Sequence, residues 1–386
     1  MFVPIKYNVR NLLVRRTSTL LTVFGIGVSV AVFVSVMALV EGIHETFVAT
    51  GEPLNVLAIR NGAQSETGSL IEPSSALVAR TIRGAARGAD GEPLVSIERI
   101  VYVQEPRLTT GSSNIVIRGL GETGRTLRPA VHLVSGRWYV PGRRELTVSR
   151  TIAERFRNTS LGDELVSGRA HFRVVGIFDG GRSAYASEMW TAAEDIGSAF
   201  DRVNYSNILA RAADRASVRT VIDALSDDPR MRFDARGERA FYAEQTKAAT
   251  PVKILGNIIA LVMAVGSAFA AMNTMYAAVA SRGREVAVLR ALGFSRAAIA
   301  FSFVTEAVLL SIAGGIVGGI GVTPLNGLST GTTNWFTFSE MNFAFAVTAP
   351  LFVRGVLFAA VMGLAGGILP ALRASRMSPA TAMRAL

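Results

Sequence analysis

The chain has 386 residues, no cysteine and a formal net charge of +11, with 50% of its residues hydrophobic and only 18% charged. Ordinary globular domains carry about 25% charged residues, so this balance speaks against a soluble enzyme and for a membrane. Without cysteine there is no disulfide framework, no thiolate nucleophile and no Cys-ligated zinc or iron–sulfur centre.

Residues 1–16 place Ile5, Val9, Leu12 and Leu13 on one helical face, flanked by Lys6, Arg10, Arg15 and Arg16. This pattern predicts a cytoplasmic amphipathic helix lying on the inner leaflet. The first span, 17–42, contains Leu20–Val40 without a charge. A bilayer core of about 30 Å needs about 20 apolar helical residues. The run is too long for a signal-peptide core, and no A-x-A-like cleavage site follows, so it reads as a retained anchor.

Residues 43–250 read as one α+β domain outside the membrane. Val95–Val103, Asn114–Arg118, Glu145–Val148 and Phe172–Phe178 are β-rich, several with period-two alternation. Thr151–Arg157, Ala192–Phe200 and Ala216–Leu225 have helical spacing, and 62–90 reads as a loop with one short helix. Tyr242–Lys253 reads as a helix running into the second span. The rest divides into a second span at 251–280, a cytoplasmic loop at 281–297 and a third span at 298–325. A short external loop at 326–347, a fourth span at 348–372 and a cytoplasmic tail at 373–386 follow. The fold class is therefore an integral membrane protein with four transmembrane α-helices and an α+β extracytoplasmic domain.

Orientation follows from lysine and arginine. Residues 1–16, 281–297 and 371–386 carry +4, +3 and +3, whereas 43–250 holds 27 basic and 25 acidic residues. By the positive-inside rule both termini and the 281–297 loop are cytoplasmic. The basic total thus reports topology, and a nucleic-acid partner is not expected.

The sequence offers little catalytic chemistry. Gly119–Thr126 fits G-x4-G-[K/R]-T, but Arg125 stands where a P-loop has the lysine that reaches the phosphates. The segment also faces outward and no Walker B strand accompanies it, so a glycine-rich turn after a strand is the better reading. The three histidines lie far apart, and no metal site or nucleophile elbow is present. The expectation is a non-catalytic chain. Gly314, Gly315, Gly318 and Gly319 form two overlapping GxxxG patterns in the third span, and Gly366 and Gly367 give the fourth a small face. Small residues let helices approach closely in lipid. Asn273 and Glu306 are the intramembrane polar residues singled out. For Glu306 a structural hydrogen-bond role is preferred to proton coupling.

The most distinctive stretch is the cytoplasmic loop from Ser281 to Arg296. Val286, Leu289 and Leu292 recur at helical spacing, charges occupy the other side, and Gly293 suits a helix C-terminus. Such a helix can dock in a groove of a soluble partner. This loop resembles that of FtsX-like, MacB-type ABC permeases, with their R-x-R-E-[IV]-x-[VI]-x-R-A-x-G pattern. Asn11-Leu12 with Arg15-Arg16-Thr17, Met272–Met275, Glu306-Ala307 before Gly314-Gly315, and Ser378-Pro379-Ala380 match in order. Ser135–Trp138 through Phe172–Ile177 is similar to the family's periplasmic core.

The resemblance implies a permease in the cell (inner) membrane, working by mechanotransmission. Two permeases, this chain with a second copy or a related one, would recruit two copies of an ABC ATPase. That ATPase would bind ATP and Mg; this chain would bind no cofactor. A periplasmic adaptor or outer partner could complete the assembly. Arg282, Arg284, Glu285, Arg290, Leu292 and Gly293 would form the ATPase-coupling element. The ATPase is expected in a separate chain, because so few residues flank the outer spans. Export or efflux is the expected function. The alternatives are a regulatory permease that activates an extracellular partner such as a cell-wall hydrolase, or a lipoprotein-release permease.

Overall fold

The computed structural model describes residues 16–167, 169–245, 250–333 and 340–377. All but Arg16 of the amphipathic helix expected over 1–16, and the end of the tail, fall outside them. The chain divides into two compact units, Met1–Glu41 with Thr250–Leu328 and Phe345–Leu386, and Gly42–Ala249 with Ser329–Ala344.

Among the described residues four helices are long and apolar enough to cross a membrane, at Thr19–Thr50, Lys253–Ser281, Arg296–Leu325 and Ala349–Arg376. The first belongs to helix α1 (Arg16–Thr50). It continues through Gly42 to Thr50 and stops ahead of Gly51 and Pro53.

The external unit is built on a ten-stranded sheet in the order β10-β1-β9-β2-β3-β8-β5-β7-β4, with β6 paired to β7. In chain order it holds β1 (Asn55–Arg60), α2 (Pro73–Val78), β2 (Val95–Pro106), β3 (Ser112–Gly119), α3 (Glu122–Thr126) and β4 (His132–Gly136). Then come β5 (Glu145–Ser149), α4 (Arg150–Ala153), β6 (Glu164–Ser167), β7 (Ala170–Asp179), β8 (Glu188–Thr191) and α5 (Ala193–Ala199). β9 (Asn207–Arg211), α6 (Ser217–Ser226), β10 (Phe233–Gly237) and α7 (Glu238–Gln245) complete the large segment.

Two apolar cores lie along this sheet. One gathers Val56, Ile71, Ile208, Val221, Leu225 and Phe233. The other gathers Ile115, Ile117, Leu146, Phe156, Phe172 and Met189. Strand β2 serves both, pairing antiparallel with β9 through Val95–Glu98 and with β3 through Arg99–Pro106. The helix expected over 151–157 is confined to α4, which Ser149 caps by accepting from Ile152 N. The chain then folds back so that Thr159 bonds the carbonyls of Ile152 and Phe156.

The membrane unit holds α1, then α8 (Thr250–Ser281), α9 (Gly283–Ala291), α10 (Arg296–Val322) and α11 (Ala349–Arg376). Glycine sets the spacing between these helices. A Cβ at Gly314 or Gly318 would strike α1 at Ile26 or at the Gly27 backbone. One at Gly315 or Gly319 would strike Ala359 or Phe352 of α11. The two overlapping GxxxG patterns therefore serve two different neighbours, one face each. Gly366 lies against Ala268 and Ala271 of α8, and Gly367 against Ala307 of α10. Ser29 of α1 and Ser267 of α8 share a hydrogen bond at 2.5 Å. Phe33 and Phe358 stack with ring centroids 4.5 Å apart.

Part of the short external loop is a hairpin of β11 (Ser329–Thr333) and β12 (Glu340–Ala344), and it belongs to the external unit. Glu340 is buried between Arg107 and Arg155, pairing with both. Arg155 also donates to Asn342 Oδ1 at 3.2 Å.

Candidate functional site

The candidate site is α9 with the residues that hold it. One residue, Arg282, joins α8 to α9 and occupies the N-cap position of the latter. Its side chain does not cap the helix. It reaches across to α10, where Nη1 donates to Glu306 Oε2 at 2.7 Å. Both side chains are buried, at 8% and 5% exposure. The pair lies in a crevice lined by Val286, Leu289, Ile299 and Phe303. Glu306 is thus the counter-ion of the loop's first arginine, which gives the intramembrane acid a structural partner.

The other end of α9 is a Schellman motif. Phe294 N bonds Leu289 O at 3.1 Å and Gly293 N bonds Arg290 O at 3.1 Å, while Gly293 holds φ +92°. That left-handed conformation is open to glycine at little cost. Phe294 and Leu289 pack on one apolar cluster with Met275, Val279, Ile299 and Phe303. Arg290 donates to the Phe294 carbonyl at 3.2 Å. Ser295 then caps α10, accepting from Ala298 N. Glu285 in the first turn and Arg290 in the last both complement the helix dipole.

These anchors decide which face of α9 is exposed. Val286 is buried in the cluster, Ala287 is also buried, and Leu289 is half-buried. The apolar repeat Val286–Leu289–Leu292, expected as a docking face, is therefore mostly the anchoring face. The exposed face carries Arg284, Glu285, Val288 and Leu292. Leu292 is 70% exposed and Val288 49%. Spacing alone missed Val288; it lies four residues before Leu292 and four after Arg284, a signal visible once the inward face is assigned. Asn273 lies elsewhere, exposed on α8, and takes no part in this cluster.

In the external unit the near P-loop resolves into the end of β3, a turn and α3. The guanidinium of Arg125 lies 5.3 Å from the ring centroids of both Trp138 and Tyr139, engaged in cation–π contact. A buried ion cluster went unnoticed in the sequence. Arg118 binds Glu188 with two bonds at 2.7 and 2.8 Å, and donates to Glu66 and Glu98 at 2.9 Å each. Arg128 grips Glu98 at 2.7 and 2.9 Å. Burial pushes the Glu98 carboxyl up, but Arg128 and Arg118 outweigh it and hold it below the usual carboxylate range. Burial also raises Glu238, against the pull of Arg128 and its bonds to Glu52 N, Asn55 and Tyr185. The cluster offers no nucleophile beside a base. Among the described residues no group of three or more histidines and acids is placed to hold a metal.

The comparisons with known proteins agree with this architecture. The family model for the MacB-like periplasmic core domain matches residues 19–228, and that for the FtsX-like permease C-terminal region matches 257–379. The chain belongs to the FtsX-like, MacB-type family of ABC transporter permeases and is a multi-pass membrane protein. Relatives include the macrolide export ATP-binding/permease protein MacB of Hahella chejuensis, 24% identical over 95% of this chain and 58% of that protein. The uncharacterized ABC transporter permease YvrN of Bacillus subtilis is 23% identical over 98% of each chain. This chain thus spans about three-fifths of the MacB relative's length and nearly all of YvrN's. Among solved structures, the periplasmic region of MacB from Actinobacillus actinomycetemcomitans aligns over 51% of this chain and 94% of that one, at 13% identity and TM-score 0.38. The extracellular domain of YknZ from Gram-positive bacteria aligns over 47% and 98%, at 14% identity and TM-score 0.37.

Proposed function

We propose that this chain is the non-catalytic permease subunit of an ABC exporter whose ATPase is a separate polypeptide. It sits in the cell (inner) membrane with both termini cytoplasmic. The ATPase, binding ATP and Mg, docks on the exposed face of α9. Two ATPase copies and a second permease, identical or related, complete the core, with a periplasmic adaptor or outer partner beyond it. Closure of the ATPase dimer pushes α9; the buried Arg282–Glu306 pair passes that push to α10. The helices carry it to the external domain, which does the work of export.

The observation that carries this reading is the geometry of α9. It is fixed at both ends, by the ion pair and by the Gly293 turn, while Arg284, Val288 and Leu292 stay exposed. A helix anchored this way transmits force instead of rolling. The MacB relatives, named as joint ATP-binding and permease proteins, support the choice of an ABC ATPase as the partner.

The test is co-expression with the ABC ATPase encoded nearest to this chain, followed by purification in detergent. Wild type is expected to retain an active ATPase. Glu285→Arg with Leu292→Glu, both on the exposed face, is expected to lose it. If no ABC ATPase from the host binds a correctly folded wild type, the proposal fails.

A further inference from the structure

The external unit meets the membrane unit in sequence at four places: after Glu41, before Thr250, and on either side of the β11–β12 hairpin. Three segments of the external unit therefore lead toward membrane helices. They are the last turns of α1, helix α7 and the hairpin. Inside the external unit all three converge on one short stretch, Arg182–Ser187.

The contacts are specific and distributed along the turn. Arg182 pairs with Glu45 of α1. Ala184 N donates to Thr50 Oγ1, on the last residue of α1, at 2.7 Å. Tyr185 OH donates to Glu238 Oε1, at the start of α7, at 2.9 Å, and its ring meets Tyr242 edge-on. Asn342 N, on β12, donates to Ser187 Oγ at 2.7 Å. A cleft lined by Phe47, Ala184, Ser187, Tyr242 and Glu340 marks the same convergence.

The turn is also bound firmly to the sheet. Ser149 Oγ donates to the Ala186 carbonyl at 2.7 Å, and Gly180 packs so closely on Ala186 that a Cβ would overlap its backbone. Ser187 leads directly into β8, a central strand that pairs with β3 on one side and β5 on the other. Its first residue, Glu188, is a ligand of the buried Arg118. Movement delivered to this turn enters the middle of the sheet, not an edge.

We infer that Arg182–Ser187 is the junction through which displacement of the membrane helices reaches the external domain. Thr50, Tyr185 and Ser187 act as positioning residues for that transfer. The inference rests on the proposed ATP-driven mechanism and names the residues that carry its last step.

The experiment uses the full chain with its co-purified ABC ATPase, comparing hydrogen exchange without nucleotide and after trapping with MgATP and vanadate. Wild type is expected to change exchange both in α9 and in β4, β7 and β8. Thr50→Val with Tyr185→Phe and Ser187→Ala removes the junction's Ala184–Thr50, Tyr185–Glu238 and Asn342–Ser187 hydrogen bonds with little change in shape. That variant is expected to keep the α9 response while the domain response falls about 5-fold or more, the scale of a modest coupling energy.

A rescue separates transfer from mere folding. The 2.7 Å bond between Asn342 N and Ser187 Oγ places the two Cα atoms no more than about 6.6 Å apart, within disulfide range. The chain has no native cysteine to compete. Ser187→Cys with Asn342→Cys, oxidised in the Thr50→Val, Tyr185→Phe background, is expected to restore the domain response, and reduction to remove it again. A triple variant that keeps the full domain response, or an oxidised pair that restores nothing, overturns the inference alone. Failure of wild type to bind an ATPase, or to respond in α9, sinks the proposed function and this inference with it.

Discussion

Neutralising one half of the Arg282–Glu306 pair should be among the costliest single changes in the membrane unit. Both side chains are less than a tenth exposed and 2.7 Å apart. Arg282→Leu leaves the Glu306 carboxylate without its cation in an apolar crevice, and Glu306→Leu leaves the guanidinium. Removing one partner of a buried pair costs about 3–5 kcal/mol, whereas replacing both by apolar groups is often neutral. Each single variant is therefore expected to lower the melting midpoint in detergent by roughly 10 °C. The double variant is expected to recover most of that loss, so the coupling energy in the double-mutant cycle should be at least as large as either single loss, about 3 kcal/mol or more. ATP turnover by the co-purified ATPase gives the second readout. The double variant should bind the ATPase through the unchanged exposed face, yet couple poorly, because nothing polar ties α9 to α10. Single variants that melt like wild type, or losses that simply add in the double variant, would refute the pairing argument.

Four further outcomes follow from the geometry. Gly293→Ala meets no steric obstacle but must hold a left-handed φ, so it should destabilise the end of α9 by about 1 kcal/mol, read as faster amide exchange at Phe294. Gly318→Val places side-chain atoms against the Gly27 backbone and should separate α1 from α10, read as loss of a cysteine cross-link engineered between them. Arg118→Met leaves three carboxylates facing one another in the external unit; a melting loss of at least about 3 kcal/mol is expected. Glu105 is buried, one of its oxygens lacks a hydrogen-bond partner among the described residues, and burial pushes its carboxyl up from 4.5 to about 7. Stability from this site is full below pH 4.5, falls as the unfolded chain ionises first, and levels off above pH 7, for a loss of at most about 3 kcal/mol. Glu105→Gln should therefore gain on wild type as pH rises across that window, measured by urea unfolding at pH 4 and pH 8.

Much of the architecture was legible because membranes impose simple rules. Leu20–Val40 and Ile254–Ala280 are uncharged and long, so their helices needed only the bilayer thickness to be recognised. The runs around Val95, Asn114, Glu145 and Phe172 are β-rich, several with period-two alternation, and β2, β3, β5 and β7 run through them. β1, β4, β6, β8, β9 and β10 were missed. Asn55–Arg60 is buried at five of six positions, so it lacks the alternation that marks a half-exposed strand. The α9 helix was visible in the loop, but its orientation was not. Val286, Leu289 and Leu292 share a spacing, and only the partners of Arg282 and Phe294 reveal which of them point inward. The buried cluster around Arg118 was illegible for a similar reason: its acids come from residues 66, 98 and 188, and nothing local distinguishes them from surface glutamates.

Strand β2 bears on how the external domain would carry load. Its 12 residues belong to both halves of the sheet, so the halves are joined through covalent backbone as well as side-chain contact. A pull along the strand is met as shear, shared among the ladder bonds to β9 and β3. A hinge between the halves would have to bend that strand, which costs ladder bonds on both sides. Under force the domain should behave as a stiff plate that frays first at its rims, β10 and β4, while the centre around β2 and β8 keeps its shape.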